Sequence, residues 1–300
     1  GAPRERWRGS GACAEHALKG MKALLVLLLL PSSQSVVLRA AWGRAVGVVA
    51  PVVHHMVVEP HQLQATTLDR LTNVAIPSDE GREVLAFAAR PADGPAGPRP
   101  VLVLLHEFFG LSDSIVDKAQ GLANELGCLV VAPDVFRGVT TDFIPRAIWL
   151  ALSTPQQRVN ADLDAVLRWA AAQDDVDAGR VAVMGFCFGG GKAIGYTTQV
   201  RRDAATVVFY GAPVSDVDAL RALTAPVCAC YGKLDAQFPQ FVVDGFRDAL
   251  AEAGVEHSVA SYDGVGHAFW KDMGQIARQE APQVEAYRLA TGFLRTFFER

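Results

Sequence analysis

The sequence predicts an α/β fold in which helices cover both faces of a mostly parallel central sheet. Short apolar runs such as 101–105 and 128–132 contain no alternating polar residues, as is typical of strands buried on both faces. Longer stretches with apolar residues at helical spacing separate these runs, and strands that alternate with helices favour parallel pairing. The chain has 300 residues, is half hydrophobic and carries a formal net charge of −4, which suits one large domain.

The elements follow one another regularly from about Leu71. Residues 72–76 and 83–88 predict two short strands joined by the turn 77–81, and the density of Pro and Gly predicts a loop over 91–98. The remaining predicted elements are strand 101–105, helix 114–126, strand 128–132, helix 155–173, strand 181–184, a helix ending near 200, strands 206–210 and 227–231, helix 241–253, strand 257–262 and helix 281–299. No Pro- or Gly-rich linker divides residues 67–300, so we expect them to form one domain.

Residues 1–66 differ in composition and predict a poorly ordered leader. Up to His55 this segment has seven Lys and Arg residues and only two acids. Met21-Lys22 followed by the apolar run 23–30 resembles a signal peptide, whereas the Arg-rich, acid-poor composition equally fits an organelle transit peptide. Residues before Met21 also fit an upstream artefact. The apolar run is too short to span a bilayer, and a reactive thiol favours an intracellular destination over secretion.

Several kinds of site are excluded or disfavoured by the sequence. The near-neutral charge gives no indication of a nucleic-acid partner. The five cysteines form no C-x-x-C pair and no zinc-ligand pattern, so we expect no metal and no cofactor. A phosphate loop at 185–191 is excluded because Ala193, not Ser or Thr, follows Lys192. The histidines His54, His55 and His61 belong to the leader, and the apolar runs around Cys128, Cys228 and Cys230 predict core thiols.

The most informative motif is Gly185-Phe186-Cys187-Phe188-Gly189-Gly190, which lies between a predicted strand and a predicted helix. It matches the nucleophile elbow G-x-Nuc-x-G with cysteine in place of serine. The alternative is a structural cysteine in a Gly-rich turn, since free cysteine often behaves as a small core hydrophobe. A catalytic role therefore requires a base, a group that orients the base, and an oxyanion hole elsewhere in the chain.

An acid and a histidine follow the motif in the required order. Asp235 follows strand 227–231 and His267 follows strand 257–262, as the acid and the base do in sheets that carry such an elbow. The competing candidates are Asp263, on the same loop as His267, and His257, which begins a strand. The oxyanion hole is predicted from the backbone N–H groups of the residue after the nucleophile and of the loop after an early strand, namely Phe188 and Phe108.

Taken together, five blocks resemble the dienelactone hydrolase family (carboxymethylenebutenolidase-like), a branch of the α/β-hydrolases. They are His106–Leu111, Ala132–Asp134, Gly185–Gly190, Gly232 with Asp235, and Gly266–Phe269, and the resemblance runs from about Leu71 to the C-terminus. It implies an α/β-hydrolase fold with Cys187 as nucleophile, His267 as base and Asp235 as its orienting acid. It also implies that Glu107 interacts with the resting thiol and moves on substrate binding, so that the thiol can ionise.

The resemblance is weaker for the groups that bind substrate. Family members that act on the dienelactone hold its carboxylate with arginines, and one matching position here is Lys271, which lacks the bidentate fork of arginine. Arg146 is the nearest candidate for the second, with Arg137 and Arg158 as alternatives. The predicted substrate-binding residues are Lys271, Arg146, Phe109 and Trp270, with Phe108, Phe186, Phe188 and Phe269 as further apolar walls.

The sequence thus predicts a monomeric hydrolase that cleaves a small ester or lactone through a thioester on Cys187. The alternative is a non-hydrolytic small-molecule receptor on the same fold, which would keep the pocket and the three side chains.

Overall fold

The computed structural model describes residues 68–93 and 97–300. The predicted leader, with its three histidines and Cys13, lies outside these residues. Among the helices of the described residues, none is long and apolar enough to cross a membrane.

An eight-stranded sheet forms the centre of the described residues. Its strands are β1 Val74–Pro77, β2 Glu83–Ala89, β3 Arg99–Leu105, β4 Leu129–Pro133, β5 Val176–Phe186, β6 Ala205–Phe209, β7 Val227–Gly232 and β8 His257–Tyr262. The spatial order is β1-β2-β4-β3-β5-β6-β7-β8. The β1–β2 and β2–β4 pairs are antiparallel, and every other neighbouring pair is parallel. The predicted mostly parallel sheet is therefore confirmed.

In the part of the chain that the structure describes, six helices lie between the parallel strands along the sequence, and two more follow β8. They are α1 Asp113–Leu126, α2 Ile144–Ser153, α3 Gln156–Ala171, α4 Phe188–Gln199, α5 Val217–Arg221, α6 Gln240–Ala253, α7 Met273–Ala277 and α8 Gln283–Phe298. The sequence prediction omitted α2, α5 and α7. The two five-residue helices are too short to show a helical period, and α2 exposes Ile144, Trp149 and Leu152, so its apolar residues do not mark one buried face.

The core lies in two layers, one on each face of the sheet. Along β3, Leu102 and Leu104 join the layer that contains buried residues of α1 and α8, whereas Val101, Val103 and Leu105 join the layer of α3. Successive side chains of a strand point to opposite faces, so a strand covered on both sides must be apolar throughout. This explains why the apolar runs identified the central strands so well.

The parallel strands place their following loops at one edge of the sheet. In open α/β sheets, ligands bind outside these carboxyl ends. Strand β5 continues to Phe186, two residues beyond its predicted end, and delivers Cys187 directly to that edge.

Candidate active site

Cys187 occupies a strained turn between β5 and α4. Its φ and ψ angles are 52° and −114°, and its N–H donates to the carbonyl oxygen of Phe209 at 2.9 Å. The flanking glycines are required by close approach of backbone. A Cβ on Gly185 would lie 2.1 Å from the carbonyl oxygen of Gly189, and one on Gly189 would lie 2.5 Å from those of Leu105 and His106. The turn therefore lifts the thiol to the sheet edge at a cost in backbone strain.

The loops after β7 and β8 are joined backbone to backbone. The N–H of Leu234 donates to the carbonyl oxygen of Val265 at 3.0 Å, and that of Lys233 donates to Tyr262 at 2.9 Å. A Cβ on Gly232 would lie 2.4 Å from the carbonyl oxygen of Val265, so this approach needs glycine. The two loops, which carry Asp235 and His267, consequently sit in fixed register.

The thiol, the imidazole and the carboxylate form a continuous chain of hydrogen bonds. His267 Nε2 lies 3.0 Å from Cys187 Sγ, and His267 Nδ1 lies 2.8 Å from Asp235 Oδ2. The other oxygen of Asp235 accepts the N–H groups of Gln237 and Phe238 at 2.8 and 3.2 Å. The Asp235 side chain is fully buried while that of His267 is 16% exposed, so the acid is fixed and the imidazole faces the opening.

The surroundings of His267 favour its charged form. Burial alone lowers the pKa of the imidazole, but the hydrogen bonds to Asp235 and Cys187 and their negative charges outweigh it and raise the pKa to about 10. At neutral pH this arrangement stabilises an imidazolium between the Asp235 carboxylate and the Cys187 sulfur.

Two backbone N–H groups near the thiol have no partner within their own secondary structure. Phe188 is the first residue of α4, so its N–H has no carbonyl acceptor one turn earlier in the helix. In the turn Glu107–Gly110, the N–H of Gly110 donates to the carbonyl oxygen of Glu107 at 3.2 Å, which leaves the N–H of Phe108 unused by the turn. These are the two groups that the sequence predicts for the oxyanion hole.

A neutral histidine and a buried acid support this turn, and the sequence did not identify either role. His106 Nδ1 donates to the carbonyl oxygen of Glu107 at 2.7 Å, and its Nε2 accepts the N–H of Val135 at 3.3 Å. Burial lowers the pKa of His106 to about 4, consistent with a neutral ring. Asp134 accepts N–H groups from the next loop, and burial raises its pKa to about 6 despite those bonds. His106 therefore ties the Glu107–Gly110 turn to the loop after β4, and Asp134 holds that loop.

The expected contact between Glu107 and the thiol is not the arrangement in this structure. Glu107 Oε1 accepts the hydroxyl of Tyr210 at 3.3 Å, while the thiol pairs with His267. Tyr210 follows β6, is fully buried and donates also to the carbonyl oxygen of Trp270 at 3.2 Å. Burial and the nearby charges of Glu107 and Cys187 hold the pKa of Tyr210 well above its usual value, so the hydroxyl remains a donor. The sequence analysis did not predict a role for Tyr210, because this residue ends an apolar run that is typical of a core strand.

A buried lysine lies behind this group. Lys118 on α1 is 2% exposed, and its Nζ donates to the carbonyl oxygen of Lys271 at 2.6 Å and to Ser114 Oγ at 2.7 Å. The ammonium group also lies over the rings of Phe186 and Trp270, at 5.1 and 5.5 Å from their centroids. The sequence offered no signal for Lys118 beyond a lysine on the apolar side of a predicted helix.

The predicted substrate-binding residues are scattered over different environments. Lys271 has an exposed side chain, while Arg146 on α2 and Phe109 are half-buried. The assignment of Trp270 to a binding surface is wrong for this structure, because its fully buried ring packs against Phe186, Phe209 and Tyr287. Phe186 and Phe269 are buried with it and belong to the core beneath the site. Phe108 and Phe188 are half-buried.

The two alternative arginines bond to other residues of the protein. Arg137 pairs with Asp162 and Glu80, each at 2.7 Å. Arg158 donates to the hydroxyl of Thr154 at 2.6 Å and to the carbonyl oxygen of Val135 at 3.2 Å. Both side chains are therefore engaged in joining α3 to the loop after β4.

Helix α2, which carries Arg146, is anchored beside both predicted oxyanion donors. Before the helix, the N–H of Thr141 donates to the carbonyl oxygen of Phe109 at 3.1 Å. After it, the carbonyl of Thr154 accepts Lys192 Nζ at 2.8 Å, and that ammonium lies 5.2 Å from the ring centroid of Phe188. Burial lowers the pKa of Lys192 to about 8, with a further contribution from the charge of Arg158. Within residues 68–93 and 97–300, no three His, Cys, Asp or Glu residues gather as metal ligands would.

Comparison with known proteins gives a consistent result. The model of the dienelactone hydrolase family matches residues 84–298. A Salmonella typhimurium protein, provisionally named a carboxymethylenebutenolidase, is 35% identical over 212 residues, covering 66% of this chain and 77% of its own. A protein of the same provisional name from Methylorubrum extorquens is 30% identical over 234 residues, covering 73% and 79%. A crystal structure from Klebsiella pneumoniae, provisionally called a dienelactone hydrolase, aligns with a TM-score of 0.63 and 31% identity over 74% of this chain and 96% of that one.

Proposed function

Because this chain belongs to the dienelactone hydrolase family, we propose that it cleaves an ester or lactone through a thioester formed on Cys187. The fold is that of an α/β-hydrolase, as the sequence predicts, and the protein is a dienelactone-hydrolase-like hydrolase. The single observation that carries the finer proposal is the Asp235–His267–Cys187 chain of hydrogen bonds at 2.8 and 3.0 Å.

In the first half-reaction, the Cys187 thiolate attacks the substrate carbonyl and forms a carbon–sulfur bond. The carbonyl oxygen takes up negative charge, and the N–H groups of Phe188 and Phe108 stabilise it, a contribution typically worth about two to three powers of ten in rate for each donor. The oxyanion then collapses, the carbon–oxygen bond breaks, and His267 gives its proton to the departing alkoxide. The products are a free alcohol, or the opened end of a lactone, and a thioester.

In the second half-reaction, neutral His267 takes a proton from water, whose oxygen attacks the thioester carbonyl. The same two N–H groups stabilise the second oxyanion, which collapses and breaks the carbon–sulfur bond. The carboxylic acid leaves, and Cys187 returns as a thiolate beside protonated His267. Asp235 keeps the proton of Nδ1 in place and stabilises the imidazolium through both halves.

The direct test is ester turnover by the purified protein and by the variant Cys187→Ala, with p-nitrophenyl acetate and a five-membered lactone as substrates. We expect the variant to lose at least about three powers of ten in kcat/KM, as nucleophiles of such triads do. Cys228→Ala is the matched control, because that thiol is fully buried in β7 and should leave turnover unchanged. Undiminished turnover by Cys187→Ala would refute the proposal, and a single stoichiometric release of product without further turnover would favour the receptor.

A further inference from the structure

We propose that Lys118 and Tyr210 are positioning residues that hold the Glu107 carboxylate away from Cys187, so that the thiol pairs with His267 before substrate arrives. The inference rests on the proposed function and deepens it. In the arrangement that the family resemblance implies, the glutamate interacts with the resting thiol and substrate moves it. In this structure, the partner of the Glu107 side chain is instead the hydroxyl of Tyr210.

The first support is the position of Tyr210. Its hydroxyl lies between Glu107 Oε1 at 3.3 Å and the carbonyl oxygen of Trp270 at 3.2 Å. A phenol has one proton to donate, so the two acceptors share it. The backbone of Tyr210 is fixed by its own N–H, which donates to the carbonyl oxygen of Cys230 at 2.8 Å.

The second support is the buried cation. Lys118 Nζ donates to the carbonyl oxygen of Lys271, the residue next to the Trp270 carbonyl that Tyr210 binds. The rings of Phe186 and Trp270 lie beside the ammonium group, which is therefore shielded from water. A desolvated cation attracts a nearby carboxylate far more strongly than an exposed one does.

Lys118 reaches Glu107 through Tyr210: the carbonyl groups of Lys271 and Trp270, which Lys118 and Tyr210 bind, are adjacent in the chain, and the Tyr210 hydroxyl also donates to Glu107. Burial lowers the pKa of Lys118 to about 8, and the negative charges of Glu107, Asp272 and Asp117 oppose that decrease, with Glu107 contributing most. Asp272 and Asp117 are exposed, whereas Glu107 is the acid that Tyr210 contacts. The side chain of Lys271, to which the resemblance pointed, is exposed, and only its backbone takes part.

The consequence is a thiol that is reactive without substrate. With Glu107 held by Tyr210 and Lys118, nothing competes with His267 for the Cys187 sulfur, and the 3.0 Å contact persists in the free protein. Removal of the cation should let the carboxylate approach the sulfur, where its negative charge disfavours the thiolate.

The experiment measures the rate of alkylation of Cys187 by iodoacetamide at pH 7 in the absence of substrate, with the modified residue identified by peptide mass. We expect Lys118→Met to slow alkylation about tenfold, and the double variant Lys118→Met/Glu107→Gln to recover most of that loss, because an amide carries no charge to oppose the thiolate. Lys233→Met is the matched control, since it removes a lysine charge at an exposed ion pair with Asp263. It should alkylate at the wild-type rate.

Tyr210→Phe provides a second variant, with Tyr231→Phe as its control, because the buried hydroxyl of Tyr231 donates to Gly211 and not to Glu107. Circular dichroism establishes that each variant is folded, and Tyr210→Phe decides the question if Lys118→Met does not fold. The proposal is overturned if neither folded variant slows alkylation, or if Glu107→Gln fails to restore the rate, which would mean that the pair only supports the backbone. Alkylation needs no ester, so its outcome is independent of whether the wild-type protein turns over any substrate.

Discussion

Cysteines at the carboxyl edge of the sheet and in the interior of its strands have opposite environments. Cys187 stands at the tip of β5, half-buried and 3.0 Å from an imidazole. Cys128 and Cys230 are fully buried: burial raises the pKa of Cys128 to about 12, and a hydrogen bond with Cys228 together with burial holds the pKa of Cys230 well above its usual range. The difference teaches that strand position and a charged partner, not the residue type, decide which thiol can react.

The contrast extends to other polar and glycine residues. The edge concentrates buried charges, positive φ angles and backbone contacts too close for a side chain, whereas the strand interiors are apolar and regular. If function and strain are confined to the edge, then substitutions there should be costly in ways that matched substitutions elsewhere are not. Four changes test this, in decreasing order of expected effect.

The largest effect is expected for Asp235→Asn. An amide would disturb the tautomer of His267 and remove the charge that stabilises the imidazolium, so kcat should fall by about three to four powers of ten. The control is Asp263→Asn, because Asp263 lies on the neighbouring loop, is 86% exposed and pairs only with Lys233. Steady-state ester kinetics should place Asp263→Asn within about twofold of the wild type. Equal losses for the two variants would contradict the assignment of the acid.

The next largest effect is a loss of stability on replacement of Gly189. Gly189→Ala would place a Cβ 2.5 Å from two backbone carbonyl oxygens, and we expect it to lower the free energy of unfolding by about 3 kcal/mol or more. Gly245 is exposed in the middle of α6 with no atom within 4 Å of a Cβ, so Gly245→Ala should raise it by about 1 kcal/mol. Urea denaturation measures both, and a tolerated Gly189→Ala would show that the elbow relaxes more easily than its geometry indicates.

A pH effect of similar size is expected from Lys118. Its pKa is about 8 in the folded protein and 10.5 in the unfolded chain, so the unfolded chain binds more protons between these values and folding becomes more favourable as pH rises through them. Relative to Lys118→Met, the wild-type free energy of unfolding should therefore increase by up to about 3 kcal/mol from pH 8 to pH 10.5. Lys233→Met, at an exposed ion pair, should show no such trend. A constant difference between wild type and Lys118→Met would mean that the buried lysine does not titrate in this range.

The smallest effect is expected for Lys271→Met. The side chain is exposed, so solvent screens its attraction for an anionic substrate, and KM for an ester that carries a carboxylate should rise only about two- to fivefold. The methyl ester of the same compound is the control and should be unaffected. An equal change for both substrates would remove Lys271 from the recognition of charge.

The sequence predicted the parts of this molecule whose signals are local. Apolar runs identified the central strands because both faces of the sheet are covered, and the spacing of Gly185, Cys187 and Gly189 follows from backbone contacts within one turn. The positions of Asp235 and His267 could also be predicted, because each residue closely follows its own apolar strand. Helices α5 and α7 are too short to show a period, and the apolar residues of α2 do not mark one buried face.

The supporting groups were not predictable in the same way. Tyr210 and Lys118 meet Glu107 only because the loop after β6, helix α1 and the loop after β3 converge in space. Neither residue differs from an ordinary core tyrosine or a helix lysine in the sequence. The burial of Trp270 likewise depends on three rings from separate elements, so its assignment to the substrate surface could be corrected only with the fold in hand.

The backbone bonds between the loops after β7 and β8 have a consequence for how this protein can adapt. Since Leu234 and Val265 are bonded directly and Gly232 admits no side chain between them, the acid and the base move as one body. Under the proposed function, we expect accommodation of different substrates to fall instead to the segment around α2, which exposes Ile144, Trp149 and Leu152. Under the proposed function, proton transfer and selectivity therefore belong to separate parts of the protein, and we expect that exchange of the segment around α2 changes which substrate is bound while Asp235 and His267 stay aligned.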